Sequence, residues 1–403
     1  MKTKLLIFNN NNTGVGKFRL IDAHVKLQNM FPTEFHVDFA DPKDLQTSNI
    51  KSYDLVFFHS SLSQNKNFTK QLRELKIQYR FKTIVDIDDY WELNFTHGMA
   101  RKSQKDNSAS RVIECVKSAD LVTTTTEYFA NKLKNYNKNV VVLKNAIDVN
   151  EPQFQSQTVK SDSIRFGWVG GSSHLDDIEL LHGLRNRLKQ EKVPNQIVLC
   201  GFNDMIRNIE TGELLKNPIG SVWARYEAIL TEKYNLNDIN YTNWLLAFRN
   251  EKHNFKNVPY ERRWTLPISQ YGTHYNHIDV SLAPLRDRTF NHFKSELKIV
   301  EAGFHKKPVI ASNLTPYSGL IKHGENGFLV DERKAHKEFF KYSKWFLENP
   351  NAIEDFGNKL YELVTSTNEL SKITQLRFEV YKSLVDENLK PVLVGYINRD
   401  YFK

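Results

Sequence analysis

The chain has 403 residues, of which 40% are hydrophobic and 26% are charged, and its net charge is +9. At roughly 150 residues per domain, this length predicts two domains, and the composition excludes wholesale disorder. No apolar run approaches the roughly 20 residues of a membrane-spanning helix, and the two cysteines, Cys115 and Cys200, are too few for a disulfide framework. The basic charge favours acidic partners, which are nucleotide phosphates, anionic lipid headgroups or nucleic acid.

The first 150 residues alternate short apolar runs with helical patterns, which predicts a parallel β-sheet covered on both faces. The predicted strands are 4–8, 54–58, 83–85, 121–124 and 140–143, and the predicted helices are 17–30, 68–80, 111–118 and 127–136. The first apolar run is too short for the core of a signal peptide, so we expect a cytoplasmic location.

Residues 151–163 are polar and lack periodicity, which predicts a linker between a domain over 1–150 and a second one over 164–380. In the second domain the predicted strands are 164–169, 196–200, 278–282, 308–311 and 327–330, with helices at 178–191 and 296–304 and a helical pattern from 335 to near 394. We interpret 203–257 as an insertion and 381–403 as a helical tail that packs back on the first domain. Ligands of such sheets bind beside the carboxyl ends of the strands.

The densest set of candidate site residues surrounds the predicted helix over 296–304. Lys294 and Ser295 precede it, with Ser295 as its N-cap, and Lys298 lies in its first turn. Because the positive end of the helix dipole disfavours a cation there, Lys298 predicts a bound anion such as a phosphate. Glu301 shares the face of Lys298, and its carboxylate can accept hydrogen bonds from two ribose hydroxyls. An ordinary amphipathic helix with solvated lysines is the alternative.

Glycines follow the first predicted strand of each domain. Gly170 and Gly171 allow close approach of the backbone to a phosphate, and the nearby His174 can either contact that phosphate or cap the next helix. Gly14 and Gly16 match neither a Walker A loop nor the dinucleotide-binding fingerprint. A tight turn between strand and helix is therefore the alternative to a ligand-binding loop.

Three acids, Asp86, Asp88 and Asp89, follow a predicted strand of the first domain, and His97 lies shortly after them. Such a cluster is typical of a metal site, a general base or a polar surface turn. Its spacing excludes an EF-hand loop.

The sequence resembles the large GT-B family of retaining glycosyltransferases, also called group 1 or family 4-like enzymes. The resemblance is strongest over 279–330, where Lys-Ser-Glu-Leu-Lys-Ile-Val-Glu-Ala-Gly occupies 294–303, and it extends to 164–177 and 83–148. It implies an α/β fold of two Rossmann-like, doubly wound parallel-sheet domains that face each other across a cleft. The donor nucleotide binds the second domain and the acceptor contacts the first.

The resemblance also implies roles for single residues. Glu301 binds the ribose, and the start of its helix holds the diphosphate. The full donor-side set is Glu301, Gly170, Gly171, His174, Gly14, Gly16 and Asn291, and the acceptor-side set is Asp86, Asp88, Asp89 and His97. Because enzymes of this family usually need no metal, we expect neither a metal nor a cofactor, with a metal at the three aspartates as the alternative.

The chain departs from the family at one position. Many members carry two glutamates with seven residues between them, and the first contacts the transferred sugar. Here that first position is Phe293, followed by Lys294. The sequence therefore resembles a bacterial subset with the pattern Lys-Ser-x-Leu-Lys-x-x-Glu, and the sugar contact is not assigned.

The predicted reaction moves a sugar from a nucleotide diphosphate sugar to a hydroxyl acceptor, with retention at the anomeric carbon. Lys298, Ser295 and Lys294 are the residues expected to stabilise the departing diphosphate. The expected acceptor is a glycan, a glycolipid or a precursor of a surface polysaccharide, and the basic surface leaves a peripheral contact with the inner face of the membrane open. The alternatives are a non-catalytic GT-B scaffold that binds saccharide or nucleotide and, less favoured, a glucosyltransferase that modifies nucleic acid.

Overall fold

The structure is a computed structural model that describes residues 2–9, 13–45, 49–60, 67–95, 100–208, 213–217, 220–231 and 260–397. The chain divides into two compact units. The first comprises Met1–Asp148, Arg288–Leu297 and Thr367–Lys403, and the second comprises Val149–Asp287 and Lys298–Ser366.

The first unit is built on a six-stranded sheet in which every neighbouring pair is parallel, in the order β2-β1-β3-β4-β5-β6. Its strands are β1 (Thr3–Phe8), β2 (Phe35–Ala40), β3 (Leu55–His59), β4 (Lys82–Ile87), β5 (Leu121–Thr124) and β6 (Val140–Val142). The inner strands are buried along nearly their whole length, as expected when helices cover both faces of a parallel sheet.

The second unit also contains a parallel six-stranded sheet, in the order β11-β8-β7-β12-β13-β14. The strands of this unit are β7 (Ile164–Val169), β8 (Asn195–Phe202), β9 (Met205–Arg207), β10 (Leu214–Lys216), β11 (Tyr260–Trp264), β12 (Val280–Ala283), β13 (Val309–Ser312) and β14 (Gly327–Val330). Strands β9 and β10 form a separate antiparallel pair. When only the six strands of this sheet are numbered along the chain, their order is 3-2-1-4-5-6, which is the order of dinucleotide-binding domains.

Helices flank both sheets. In chain order they are α1 (Asp22–Met30), α2 (Phe68–Tyr79), α3 (Ala100–Lys105), α4 (Ser108–Ser118), α5 (Glu127–Leu133), α6 (Leu175–Ile178), α7 (Leu184–Leu188), α8 (Val222–Thr231), α9 (Thr289–His292), α10 (Leu297–Phe304), α11 (Thr315–Ser318), α12 (Ala335–Glu348), α13 (Ala352–Thr367), α14 (Leu370–Val385) and α15 (Lys390–Ile397). The predicted α/β architecture of doubly wound parallel sheets is therefore confirmed. Each of these helices is too short or too polar to cross a bilayer.

The sequence prediction differs from the structure in several elements. The single helix predicted over 178–191 is divided into α6, a 3₁₀ turn at Glu179–Leu181 and α7. The division falls at Gly183, whose φ of 67° lies in the left-handed region that a continuous helix cannot contain. The edge strands β2 and β11 were not predicted. Within the predicted insertion, the structure contains β9, β10 and α8, and residues 209–212, 218–219 and 232–257 lie outside the described residues.

The C-terminal part of the chain belongs to the first unit from Thr367 onward, whereas the tail that packs on this unit was predicted to begin at residue 381. Helix α14 packs against α1, where the Phe31 and Phe378 rings stack with centroids 4.0 Å apart. The Nε2 of His24 also lies 3.1 Å from the Tyr381 hydroxyl. The segment Arg288–Leu297 belongs to the first unit as well, so the unit is assembled from three separate parts of the chain.

Candidate functional site

Lys298 and Gly170 lie together in the second unit. The Nζ of Lys298 donates to the Val169 carbonyl oxygen at 2.6 Å and lies 5.1 Å from the centre of the Trp168 ring. A Cβ on Gly170 would be only 2.8 Å from this Nζ and 2.5 Å from the ring, so any larger residue would force a rearrangement. Gly170 follows β7, which neighbours β12 where the strand order reverses, and open α/β sheets bind ligands at such a switch point.

Glu301 lies one turn further along α10 and is only 5% exposed. Its two carboxylate oxygens accept hydrogen bonds from the hydroxyls of Tyr271 and Tyr275, the latter at 3.1 Å. Burial raises the pKa of this carboxyl, although the charge of Lys298 and the two tyrosine hydroxyls act in the opposite direction. The tyrosines come from the 3₁₀ segment Tyr271–His277 before β12, and no sequence motif had indicated them.

His174 lies beyond the glycines and is held by side chains of its own unit. Its Nδ1 is 2.7 Å from an Asp177 carboxylate oxygen, and its backbone N–H donates to the Tyr226 hydroxyl at 2.7 Å. Tyr226 also donates to the Gly171 carbonyl at 3.3 Å. The His174 side chain makes no capping bond to α6, so the capping role left open by the sequence is not seen.

The loop after β1 begins its helical turns earlier than predicted. Gly14 is already helical and Gly16 opens a π-helical turn, Gly16–Ile21. This turn directs Arg19 inward, where its Nε donates to an Asp86 carboxylate oxygen at 2.9 Å and Thr123 donates to the other at 2.6 Å. Asp86 is only 1% exposed. It is therefore a buried structural carboxylate rather than an open acceptor-binding group.

Asp88 pairs with a residue that the sequence analysis missed. The Nε2 of His59, the last residue of β3, lies 2.6 Å from an Asp88 carboxylate oxygen, and both side chains are partly exposed. Burial alone would lower the pKa of His59, but the charge and hydrogen bond of Asp88 raise it above its ordinary value. A histidine at the carboxyl end of a buried strand was the available signal. The neighbouring Asp89 is exposed.

The segment before α10 belongs to the first unit. Phe293 is buried, and its ring stacks on Tyr90 with centroids 4.4 Å apart and lies 5.2 Å from Phe129. Lys294 lies 4.7 Å above the Phe290 ring.

Ser295 and Asn291 fall in this same segment. The Ser295 hydroxyl accepts from Asn145 Nδ2 at 2.9 Å. Helix α10 begins at Leu297, so its N-cap position is Glu296. Ser295, the predicted N-cap, lies one residue earlier. Asn291 is a buried residue of α9.

No metal site is visible in the described part of the chain. There, no three His, Cys, Asp or Glu side chains are grouped so as to hold a metal ion. His97 lies outside the described residues, and its acceptor-side role stays a prediction.

Residues 251–349 match a family model described as Glycosyl transferases group 1. A search of curated proteins finds no match. The matched segment contains α10 with Lys298 and Glu301 and also contains the two tyrosines that bind Glu301, so the strongest candidate residues lie inside it.

Solved structures that resemble the whole chain have the GT-B fold. Sucrose-phosphate synthase from Thermosynechococcus elongatus has a TM-score of 0.64 at 13% identity, with 95% of this chain and 99% of that chain covered. Anabaena HepE in complex with UDP and glucose has a TM-score of 0.58 at 14% identity, with 94% and 100% covered. A glycosyltransferase from Rickettsia africae has a TM-score of 0.58 at 11% identity, with 96% and 99% covered.

The two doubly wound sheets and these neighbours define the fold class as GT-B. Together with the matched domain, they support the GT-B glycosyltransferase superfamily and sugar transfer as the activity.

Proposed function

We propose that the chain transfers a sugar from a nucleotide diphosphate sugar to a hydroxyl acceptor. The observation that carries the proposal is the position of Lys298 against Gly170 at the switch point of the second sheet, with Glu301 one turn further along the same helix. This arrangement offers an ammonium group and a close-approach backbone for a diphosphate, with a carboxylate beside them for a ribose.

The second unit supplies the donor site in this proposal. Backbone at Gly170 and Gly171 lies beside the phosphates, and Lys298 donates to them. The ribose hydroxyls use carboxylate lone pairs of Glu301 that remain beside the two tyrosine bonds. The UDP and glucose in the HepE complex are consistent with such a donor.

The chemical step breaks the bond between the anomeric carbon and the diphosphate oxygen, and negative charge grows on that oxygen. A preorganised ammonium lowers the barrier because its attraction strengthens as the charge develops. We propose that Lys298 provides this stabilisation without a metal or cofactor, with assistance from Lys294 and Ser295. Retention at the anomeric carbon rests on the resemblance alone.

The acceptor site is proposed to include the partly exposed pair His59 and Asp88, together with Asp89. Carboxylates and an imidazole at the carboxyl edge of a parallel sheet suit the hydroxyls of a sugar acceptor. We propose a glycan, a glycolipid or a polysaccharide precursor as the acceptor. A cytoplasmic location with peripheral contact to anionic lipid through the basic surface is part of the same proposal.

A second candidate function is a GT-B scaffold that binds nucleotide or saccharide without catalysis. The burial of Phe293 in an aromatic cluster favours it, because the position where many family members contact the sugar is apolar here. Release of free nucleoside diphosphate that depends on an acceptor would separate the two functions.

The test of the donor site is calorimetric titration of a panel of nucleotide sugars into the parent and Glu301→Gln. Glutamine can still accept from one tyrosine, whereas alanine would leave both buried hydroxyls without an acceptor. We expect the parent to bind one nucleotide sugar and the variant to bind it about 1–3 kcal/mol more weakly. Glu325→Gln, an exposed position of the same unit, is the matched control. Equal affinity in all three proteins would contradict the ribose assignment.

A further inference from the structure

A cleft of about 530 Å³ lies at the amino ends of the strands in the second unit, away from the carboxyl-end residues proposed for the donor. Its lining includes Ile164 at the start of β7 and Asp279 and Lys307, which shortly precede β12 and β13. The volume falls within the range of small-molecule sites, about 300–1,000 Å³. Neither the sequence motifs nor the proposed transferase reaction uses this cleft.

Lys307 is the unusual group in the cleft. It is only 4% exposed, and its Nζ donates to the Thr158 hydroxyl at 2.5 Å. The nearby Asp279 carboxylate is occupied by Arg165, with two contacts of 2.9 Å from its guanidinium. Within the described part of the chain, no ion pair joins Lys307 to a carboxylate. Burial lowers the pKa of Lys307 to about 8, although Asp279 acts in the opposite direction.

A buried ammonium group without a paired carboxylate is costly because it has lost its hydration. An anion from solution would compensate for this loss by supplying charge-assisted hydrogen bonds. The hydroxyls of Thr158, Ser161 and Ser163 share the lining with Lys307 and are further donors for such an anion, whereas the Ser156 hydroxyl donates to the His305 carbonyl oxygen. An ammonium group surrounded by hydroxyls is suited to a phosphate group.

The rest of the lining has a different character. The acidic side chains of Asp162 and Glu354 are exposed, and Asn358 lies near them on α13. These groups would repel a second anionic group, but they accept hydrogen bonds from neutral hydroxyls. The cleft therefore matches a ligand that carries one phosphate and several hydroxyl groups.

We propose that this cleft binds a phosphorylated monosaccharide, with the phosphate on Lys307 and the sugar hydroxyls on the acidic rim. The ligand would contact the turn that ends α10, the helix that carries Lys298 and Glu301. This turn is closely fixed, because Lys306 has a φ of 56° and a Cβ on Gly357 would be 2.0 Å from its carbonyl oxygen. The cleft is thus a site separate from the donor residues but joined to them through one helix.

The test is calorimetric titration of glucose 6-phosphate, glucose 1-phosphate and mannose 6-phosphate into the parent, Lys307→Met and Glu301→Gln. We expect the parent and Glu301→Gln to bind at least one hexose phosphate equally, and Lys307→Met to bind it at least about tenfold more weakly. Lys337→Met, an exposed lysine of the same unit, should bind like the parent. Circular dichroism and thermal melting of each variant verify that it is folded.

Inorganic phosphate and the unphosphorylated sugar are titrated separately, and each should bind at least about tenfold more weakly than the hexose phosphate. If phosphate alone binds as tightly, the sugar part of the proposal is wrong. The site assignment is overturned if Lys307→Met binds like the parent, if Glu301→Gln loses binding, or if no hexose phosphate binds the parent at millimolar concentration. Because Glu301→Gln changes the proposed donor site alone, a failure of the donor-site proposal can be distinguished from a failure of the hexose phosphate proposal.

Discussion

The Lys298 ammonium group packs against backbone at Gly170, where only glycine fits. Its Nζ donates to the Val169 carbonyl and lies only 2.8 Å from the position that a Cβ on Gly170 would take. We expect Lys298→Ala to lower the turnover number about 100- to 1,000-fold, or about 2.7–4 kcal/mol of barrier, with a smaller effect on donor affinity. Lys298→Arg should restore activity only in part, because a planar guanidinium does not occupy the point position of an ammonium.

Steady-state kinetics on folded protein test this expectation. The exposed Lys322, replaced by alanine, is the matched control in the same unit. A turnover number for Lys298→Ala within about a factor of three of the parent, little more than half a kcal/mol of barrier, would show that the phosphate site lies elsewhere.

The pair His59 and Asp88 predicts a pH-dependent part of the stability. Asp88 raises the folded-state pKa of His59 above its ordinary value of 6.5, with Asp86 acting in the same direction, whereas burial and Arg19 oppose the increase. A histidine pKa raised by folding contributes stability below the unfolded-state pKa, and that contribution is lost as pH rises through the folded-state pKa.

Urea unfolding of the parent and Asp88→Asn at several pH values from 5.5 to 8.5, about one unit below to two above the ordinary histidine pKa, measures this contribution. The difference in the free energy of unfolding between the two proteins should be largest at the acidic end and should shrink as pH rises. A difference that does not change with pH would show that Asp88 does not shift the folded-state pKa of His59.

At the scale of elements, Phe293 connects the segment before α10 to the core of the first unit. Its ring packs among Tyr90, Phe129 and Tyr128. We expect Phe293→Glu, which introduces the glutamate common in the family, to lower the free energy of unfolding by at least about 3 kcal/mol, because it removes a buried ring and desolvates a carboxylate. Phe293→Leu should cost less, because an apolar side chain still fills much of the site.

Chemical denaturation of both Phe293 variants gives these free energies. A glutamate variant as stable as the parent would mean that this position can open to solvent and accommodate a polar side chain. The same variant would then be a candidate for a restored sugar contact.

The sequence predicts the inner strands of both sheets because their apolar runs are short and end at glycine or polar residues. It does not predict β2, whose pattern of burial is mixed, or the break before α7, which depends on the single φ of Gly183. The buried role of Asp86 was also hidden, because its partner Arg19 lies 67 residues earlier in the chain. Periodicity reports which face is apolar, but it does not report partners that are distant in sequence.

At the scale of the whole molecule, the alternation of strands and helices predicts the fold class. It does not predict which segments of the chain make up each unit. The first unit includes Arg288–Leu297 and Thr367–Lys403, which are distant from its other residues in the chain. Their membership is fixed by packing such as that of α14 on α1, which local patterns do not contain. The candidate site was likewise only partly foreseen, since His59, Tyr271 and Tyr275 belong to no recognised motif.

Sugar transfer is expected to continue in the presence of a chelator. The reason is that Lys298 and the surrounding backbone supply the positive character that a divalent cation supplies in metal-dependent transfer. Initial rates are measured without EDTA, with EDTA, and after manganese has been added back as the control. Activity that is lost in EDTA and restored by manganese would instead favour Asp88 and Asp89 as metal ligands.

Lys298 and Glu301 are proposed to form the donor site of a working transferase. The most direct test of this proposal is the simultaneous measurement of nucleoside diphosphate release and of sugar incorporated into a hydroxyl acceptor, for the parent, Lys298→Ala and Glu301→Gln. We expect equal amounts of released diphosphate and transferred sugar with the parent, and a large loss of both with either variant. Nucleotide-sugar binding by the parent with no transfer to any acceptor, or transfer that neither variant reduces, would contradict the proposal.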